Sequence, residues 1–434
     1  MKLINKFLQI YNKSDLAHRM ANGAFWSFSG TALAKLIVLI AGIICARILG
    51  QNDFGEFSMV RSTVMVFSVV GLSGLGITAT KYISEFKAET PERIPSIYIL
   101  TNVFSIGLGI FISVLIVVLA PVIATETLNS PYLTHDLQWG GILLFFTVLN
   151  GVQGGILGGF EDFKSSALNT LYGSIAESIL MCIGAYFYGV SGAIIGYGIG
   201  YIVIYFCNKA SIKKILNLYQ IEIKLNKFVK SDLKIIYKFS LPAALSTILA
   251  APVFWLIKSM LVRHNGYDQL SIYEAADQWR IIILFIPTAI SNVVLPILSG
   301  LVGKEEHKFW KVLKLNILLN SSIALIITVL VCLLGNWILN LYGPGFDNIR
   351  TLIILCSSTV FSAASTVIGL SISSRNKMWT GFAFNCGWAL MTILLSYIFI
   401  NNELGSEGIA LAVLCAYFIH SIIQLAYLRA ISFK

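Results

Sequence analysis

Apolar runs of about twenty residues follow one another along this chain, separated by short polar breaks. Few segments alternate apolar and polar positions as a half-buried strand would. A helix of about 20 apolar residues spans the roughly 30 Å of a bilayer's hydrocarbon core. The pattern predicts twelve such helices, near 23–45, 57–79, 97–120, 139–160, 166–188, 190–208, 239–261, 278–299, 313–339, 350–372, 379–400 and 408–428. The expected fold is therefore an all-α integral membrane protein with about twelve transmembrane helices. Residues 57% hydrophobic and 12% charged over 434 positions leave no room for a large soluble domain. The first run begins only near Gly23 and lacks an A-x-A-like cleavage site, so it reads as a span and not as a cleaved leader.

Orientation follows from the connecting segments. With the N-terminus inside, the inner segments collect most of the 31 Lys and Arg. The outer segments keep only Arg47, Arg263, Arg280 and Arg350, while Lys35, Arg61 and Lys258 lie within spans. This bias places both termini in the cytoplasm. The net charge of +10 is then a topology signal spread over many segments and does not point to nucleic acid. Two inner segments have mixed character. Leu3, Ile4, Phe7, Leu8 and Tyr11 share one helical face of an amphipathic stretch, residues 1–22. The basic connector between the sixth and seventh spans, residues 209–238, reads equally as an interfacial helix or a solvated linker.

The chain also repeats itself. Arg47, Gly50, Phe54 and Phe57 match Arg263, Gly266, Leu270 and Tyr273 at a constant offset of 216 residues. Both stretches follow the first span of a six-helix half. Two six-helix lobes, 23–208 and 239–434, are expected, with alternating access between them. Gly151, Gly155 and Gly159, and Gly192, Gly196 and Gly200, form faces suited to close helix packing. Pro242, Pro252, Pro287 and Pro296 are expected to bend the seventh and eighth spans.

Three stretches, ARILGQNDFGEFSMVRS, GLSGLGITATKYISEF and SIYEAADQWRIIILFIP, carry a resemblance. They are similar to the polysaccharide transporter family of the multidrug/oligosaccharidyl-lipid/polysaccharide flippase superfamily, over essentially the whole chain. The resemblance implies an O-unit flippase of the Wzx type. Such a protein moves an undecaprenyl-pyrophosphate-linked oligosaccharide across a bacterial inner membrane. Its partners would be that lipid, the surrounding membrane and other polysaccharide-assembly membrane proteins. Lipid II flippases of the same superfamily often carry two further helices, for which this chain has no room.

Charges inside spans select the candidate residues. Lys35 sits near the middle of its span, about 16 Å from either end at 1.5 Å per residue. That is too far to snorkel, and facing lipid would cost about 2.5–3.5 kcal/mol. A water-filled cavity is the favoured environment, with Ser27, Thr31 and Gly42 on the same stripe. Burial as a neutral amine and a pair with Glu177 are the alternatives. Arg61, near a span end, reads as substrate contact or as a snorkelling side chain. Lys258 reads as snorkelling. Asp277 and Arg280 read as a local pair, with Arg280 also a candidate for the cavity mouth. Glu177 is read as the only acid deep in a span, on a stripe with Ser166, Asn169 and Gly173, and is a candidate for ion coupling. Asn150, Gln153, Asn316 and Asn320 are candidate sugar contacts, with helix–helix hydrogen bonding as their commoner use.

This sign balance suits a pyrophosphate better than a cationic drug. A cation-coupled multidrug exporter of the same superfamily is the second reading. A membrane polymerase or ligase is the third, and the short outer loops argue against it. No catalytic, metal or cofactor motif stands out. Single cysteines near Thr127 and Asn402, in a background without native cysteines, should react with an impermeant thiol reagent from the periplasm. One near Lys224 should not, and labelling there in intact spheroplasts would reverse the orientation.

Overall fold

The computed structural model describes residues 15–72, 74–240, 248–302, 305–375 and 377–432. Among them there is no strand. The long helices are α1 (Asp15–Leu49), α2 (Gln51–Leu72), α3 (Leu75–Glu89), α4 (Ile94–Val122), α5 (Thr134–Gly159) and α6 (Phe163–Leu218) in the first half. The second half holds α7 (Ala250–Asn265), α8 (Tyr267–Leu301), α9 (Glu306–Leu333), α10 (Gly335–Tyr342), α11 (Ile349–Ser374), α12 (Met378–Asn401) and α13 (Gly405–Ser432). Eight helices among the described residues are long and apolar enough to cross a bilayer. One of them, α6, doubles back and crosses twice. The remaining crossings are made by α2 with α3, by α7 and by α8. The protein is thus an all-α membrane protein of about twelve spans. The first fourteen residues of the amphipathic stretch expected at 1–22, and Pro242, lie outside the described residues.

The reversal in α6 falls at Tyr188 and Gly189, where Gly189 adopts φ 57°. Its two arms then pack antiparallel at backbone distance. A Cβ added at Gly192 would lie 2.1 Å from the Gly184 carbonyl oxygen, and one at Gly196 would lie 2.2 Å from that of Leu180. The glycine face on α5 works the same way: a Cβ at Gly155 would lie 2.2 Å from the Gly76 carbonyl oxygen on α3. These glycines permit contacts that any side chain would block.

The repeat has a structural counterpart. Gly50 (φ 80°) separates α1 from α2, and Gly266 (φ 86°) separates α7 from α8. At the matched positions Phe54, Phe57, Leu270 and Tyr273 are all fully buried. α8 therefore begins at Tyr267, not near residue 278 as the hydropathy suggested, and Val262–Asp277 is not an outer loop. α8 also runs through Pro287 and Pro296 as one helix. Pro252 stands in the first turn of α7, where the missing N–H is tolerated.

Packing differs between the two ends of the helices. At the end opposite the chain termini, the outer end if the Lys and Arg bias sets the orientation, a single apolar core joins both halves: Phe54, Phe57, Leu128 and Ile194 pack with Leu261, Leu270, Tyr273 and Phe346. At the inner end there are two separate cores. One is built from α3, α4, α5 and α6 around Ile83, Ile97 and Ile156. The other is built from α8, α9, α11 and α13 around Leu298, Phe309 and Ile372. The halves are closed together at the end opposite the termini and have independent cores at the other.

The connector is neither a free linker nor a separate interfacial helix. Its first part extends α6 to Leu218. Ile221, Ile223, Phe228, Ile235 and Ile236 then pack on the inner core of the first half. Asp232, buried, pairs with Arg93 and accepts from Ser96 Oγ at 2.7 Å. Ser96 Oγ in turn accepts the Val229 amide at 2.9 Å.

The outer seam predicts a steric effect. An added Cβ at Gly55 would lie 2.2 Å from the Tyr267 carbonyl oxygen. Gly55→Leu should wedge the halves apart, disfavouring the closed outer end by about 1–3 kcal/mol. Cysteines placed at Gln51 and Asp268, where Gln51 Nε2 donates to the Asp268 carbonyl at 3.2 Å, should cross-link about tenfold more slowly in that variant. An unchanged rate would show that the seam tolerates the side chain.

Candidate functional site

Lys35 lies on α1 facing α8. Its ammonium is 6.0 Å from the centre of the Phe285 ring. Phe285 stacks on Phe28 of α1, with centroids 5.1 Å apart. Lys35 is half-buried, and no carboxylate among the described residues pairs with it. The pair with Glu177 weighed from the sequence is not formed. Seven residues further along α1, Gly42 abuts Gln278 of α8, so the α1 stripe does face the other half.

Glu177 lies on the first arm of α6 and is buried. It faces the second arm, where Gly200 leaves the space its Cβ occupies. The rest of its stripe also faces that arm. Asn169 Nδ2 donates to Asn208 Oδ1 at 2.9 Å and to Ser211 Oγ at 3.0 Å. Glu177 has no ion-pair partner among the described residues, and Arg61 is the cation whose field reaches it. It is not the sole buried acid in a span, because Glu274 and Asp277 are buried in α8.

A cavity of about 360 Å³ opens between α2, α5 and the arms of α6. Its polar wall is formed by Arg61, Asn150, Thr170, Tyr197, Tyr201 and Asn208. The Tyr197 and Tyr201 hydroxyls share a hydrogen bond of 2.8 Å. Asn150 Nδ2 donates to the Tyr201 carbonyl at 2.8 Å, and its Oδ1 is buried without a protein donor. Gln153, also on α5, is buried but does not line the cavity, and its Oε1 is likewise without a protein donor.

Arg61 stands where this cavity meets the seam between halves. Its Nη2 is 3.4 Å from Oε2 of Glu274 on α8. Glu274 Oε1 is 2.6 Å from the Lys258 ammonium of α7. Lys258 is 8% exposed, so the snorkelling reading is corrected: it points into the protein, onto a buried carboxylate. Snorkelling loses here because the ion pair with Glu274 replaces the headgroup water that a span-end lysine would otherwise seek. Arg280 is also buried, with Nε 2.5 Å from Asp277 Oδ1 and its guanidinium 4.8 Å from the Phe254 ring centre. The local Asp277–Arg280 pair expected from the spacing is present. Asn316 and Asn320 sit on α9 and each donates to a carbonyl of that same helix, of Val312 and Asn316, at 2.9 Å. They bridge no helices through these bonds.

The structure thus gathers Arg61 and Asn150 on one cavity with Glu177 close to Arg61. It sets Lys35 apart, on the α1–α8 seam. Sequence reasoning missed Glu274, Tyr197 and Tyr201, and misjudged Lys258. The signal for Glu274 was available in the repeat: carried through at offset 216, it starts α8 at residue 267 and puts Glu274, Asp277 and Arg280 at successive three-residue steps on one helical face.

The chain matches the family described as polysaccharide biosynthesis protein over residues 20–302. A polysaccharide export inner membrane protein, EpsE of Ralstonia nicotianae, is 27% identical over 194 residues, covering 43% of this chain and 44% of that protein. The match thus spans less than half the length of that relative. The probable flippase AglR of Haloferax volcanii is 24% identical over 361 residues, covering 82% of this chain and 69% of that protein. Among solved structures, the inward-facing conformation of a multidrug resistance MATE family transporter of the MOP superfamily superposes with TM-score 0.81. It is 16% identical over 91% of this chain and 94% of that one. A MOP superfamily transporter from Pyrococcus furiosus, whose binding pocket is described as having reverse polarity, superposes with TM-score 0.72. It is 17% identical over 95% of each chain. The chain belongs to the polysaccharide biosynthesis protein family and has the fold of the MOP superfamily transporters.

Proposed function

We propose that this protein is a flippase for an oligosaccharide carried on an undecaprenyl-pyrophosphate type of lipid. It works in a bacterial inner membrane with both termini in the cytoplasm, moving the headgroup from the cytoplasmic to the periplasmic leaflet by alternating access between lobes 23–208 and 239–434. The observation that carries this reading is Lys35, a cation within a span, on the seam between halves, without a carboxylate partner among the described residues. An unpaired ammonium at that depth is stable only where it meets water or an anion. The names of the relatives EpsE and AglR support a polysaccharide-linked cargo.

The charge balance is closer than the sequence suggested. Lys35, Arg61, Lys258 and Arg280 stand against Glu177, Glu274 and Asp277. Asp277 neutralises Arg280, and Glu274 is shared by Arg61 and Lys258. The positive excess therefore rests on Lys35 and on the cluster containing Arg61. Both suit a pyrophosphate, whose outward movement the membrane potential favours by about 2.3 kcal/mol per charge per 100 mV. Asn150 and Gln153 supply unpaired acceptors for sugar hydroxyls, while the polyprenyl tail remains in lipid. Arg280, held by Asp277, has a supporting role. Glu177 is the group we assign to ion coupling.

For Lys35, charge should matter more than shape. Lys35→Arg should retain part of the surface polysaccharide, Lys35→Ala should lose most of it at normal membrane abundance, and Lys35→Glu should be worst because it repels the headgroup. Full display with Lys35→Ala would remove the cationic-seam mechanism. For Glu177, Glu177→Gln should abolish the dependence of flipping on a proton or Na⁺ gradient. Unchanged gradient dependence would leave Glu177 a packing role only.

A further inference from the structure

Glu274 receives two cations, and they come from different halves. Lys258 belongs to its own half and is close, at 2.6 Å. Arg61 belongs to the first half and is looser, at 3.4 Å. The contact lies in the outer seam, beside the hydrogen bond from Trp255 Nε1 to Thr63 Oγ1 at 2.9 Å. Opening the outer end pulls Arg61 away from Glu274. Ordinarily that would strand a buried carboxylate, which is strongly unfavourable. Here it does not, because Lys258 stays on Glu274. Arg61 is not stranded either. It already lines the first-half cavity with Asn150, Tyr197 and Tyr201, and its field reaches Glu177.

We propose that Arg61 is a transferable latch: it closes the outer end on Glu274 and is released into the first-half cavity to hold an anionic headgroup, with Lys258 keeping Glu274 neutralised during the transfer. This rests on the flippase reading for the identity of the anion but not for the latch itself. Glu274 and Lys258 act as positioning residues. Neither needs to touch the cargo. The two of them set how tightly Arg61 is held: Glu274 attracts it, and Lys258 competes with it.

That competition yields opposite effects from two substitutions around one carboxylate. In purified protein reconstituted in liposomes without cargo, a single cysteine replaces Leu270 in the shared outer core, in a background without native cysteines. Leu270 is fully buried when the outer end is closed. Glu274→Gln should raise its rate of reaction with a thiol reagent several-fold, and Arg61→Gln should do the same. Lys258→Gln should lower the rate, because Glu274 then depends on Arg61 alone. A merely structural cluster would respond to all three substitutions in the same direction, and that outcome would overturn the latch. Arg61→Gln leaves Glu274 paired with Lys258, so it preserves the test if Glu274→Gln fails to fold. Farnesyl pyrophosphate, as a short polyprenyl pyrophosphate probe, should raise the rate in the parent and in Lys258→Gln but not in Arg61→Gln. Loss of the variant order overturns the latch whatever the cargo. An intact order with no response to the probe overturns the pyrophosphate reading of the cavity.

Discussion

The two halves of this chain share one apolar core, and that core sits at one end only. Phe54 and Phe57 from the first half and Leu270 and Tyr273 from the second meet there with no exposed surface. Their burial draws α2 and α8 together so closely that only glycine fits at position 55. At the other end each half closes its own core, and the contact across the seam thins to the stack of Phe28 on Phe285. Hydrophobic burial is non-directional and scales with area. Putting the shared area at one end therefore leaves a bundle that is tight outside and separable inside. The half-buried Lys35, on the seam between the halves, is tolerable for the same reason: a seam that parts toward one side admits water.

Much of this was legible from the residues. Span count and helical class follow from apolar run length, because lipid forces every backbone polar group into intrachain bonds. The helix-packing roles of the glycines on α5 and α6 were also visible, since their spacing of four places them on one face. Hydropathy failed where charges are paired. It placed the start of the eighth span near residue 278 because Asp268, Glu274 and Asp277 depress the average there, yet two of those three acids are buried. An averaged hydropathy counts each charge as if it were alone. Lys258 and Glu274 neutralise one another only in the folded structure, so no local window could register Glu274 as a membrane residue or show that Lys258 points inward. The connector eluded the sequence for a related reason: its anchor, Asp232, finds Arg93 and Ser96 across a long stretch of chain.

The connector also bears on how the halves move. Its isoleucines and Phe228 extend the inner core of the first half, and Thr78 bonds Ser240 at 2.7 Å. The chain therefore stays attached to the first half as far as Ser240. The first half and its connector thus form one packed unit.

The repeat explains why the ionic contacts between halves are uneven. At offset 216, Arg61 corresponds to Asp277, Ser58 to Glu274, and Gly42 to Lys258. Equivalent positions on two related helices that meet across a seam approach one another, so identical charges at both would repel in a low dielectric. The two halves instead carry a cation in one copy and acids in the other. Arg61 meets Glu274, one turn from its own equivalent and on the same face. The position matching Glu274 is Ser58, small and uncharged, so a second, symmetric latch is absent. The position matching Lys35 is Ala251, so that cation is not repeated in the second half. A duplicated frame supplies two halves, and the unduplicated charges set the ionic contact between them: Arg61 on Glu274, with Lys258 beside it.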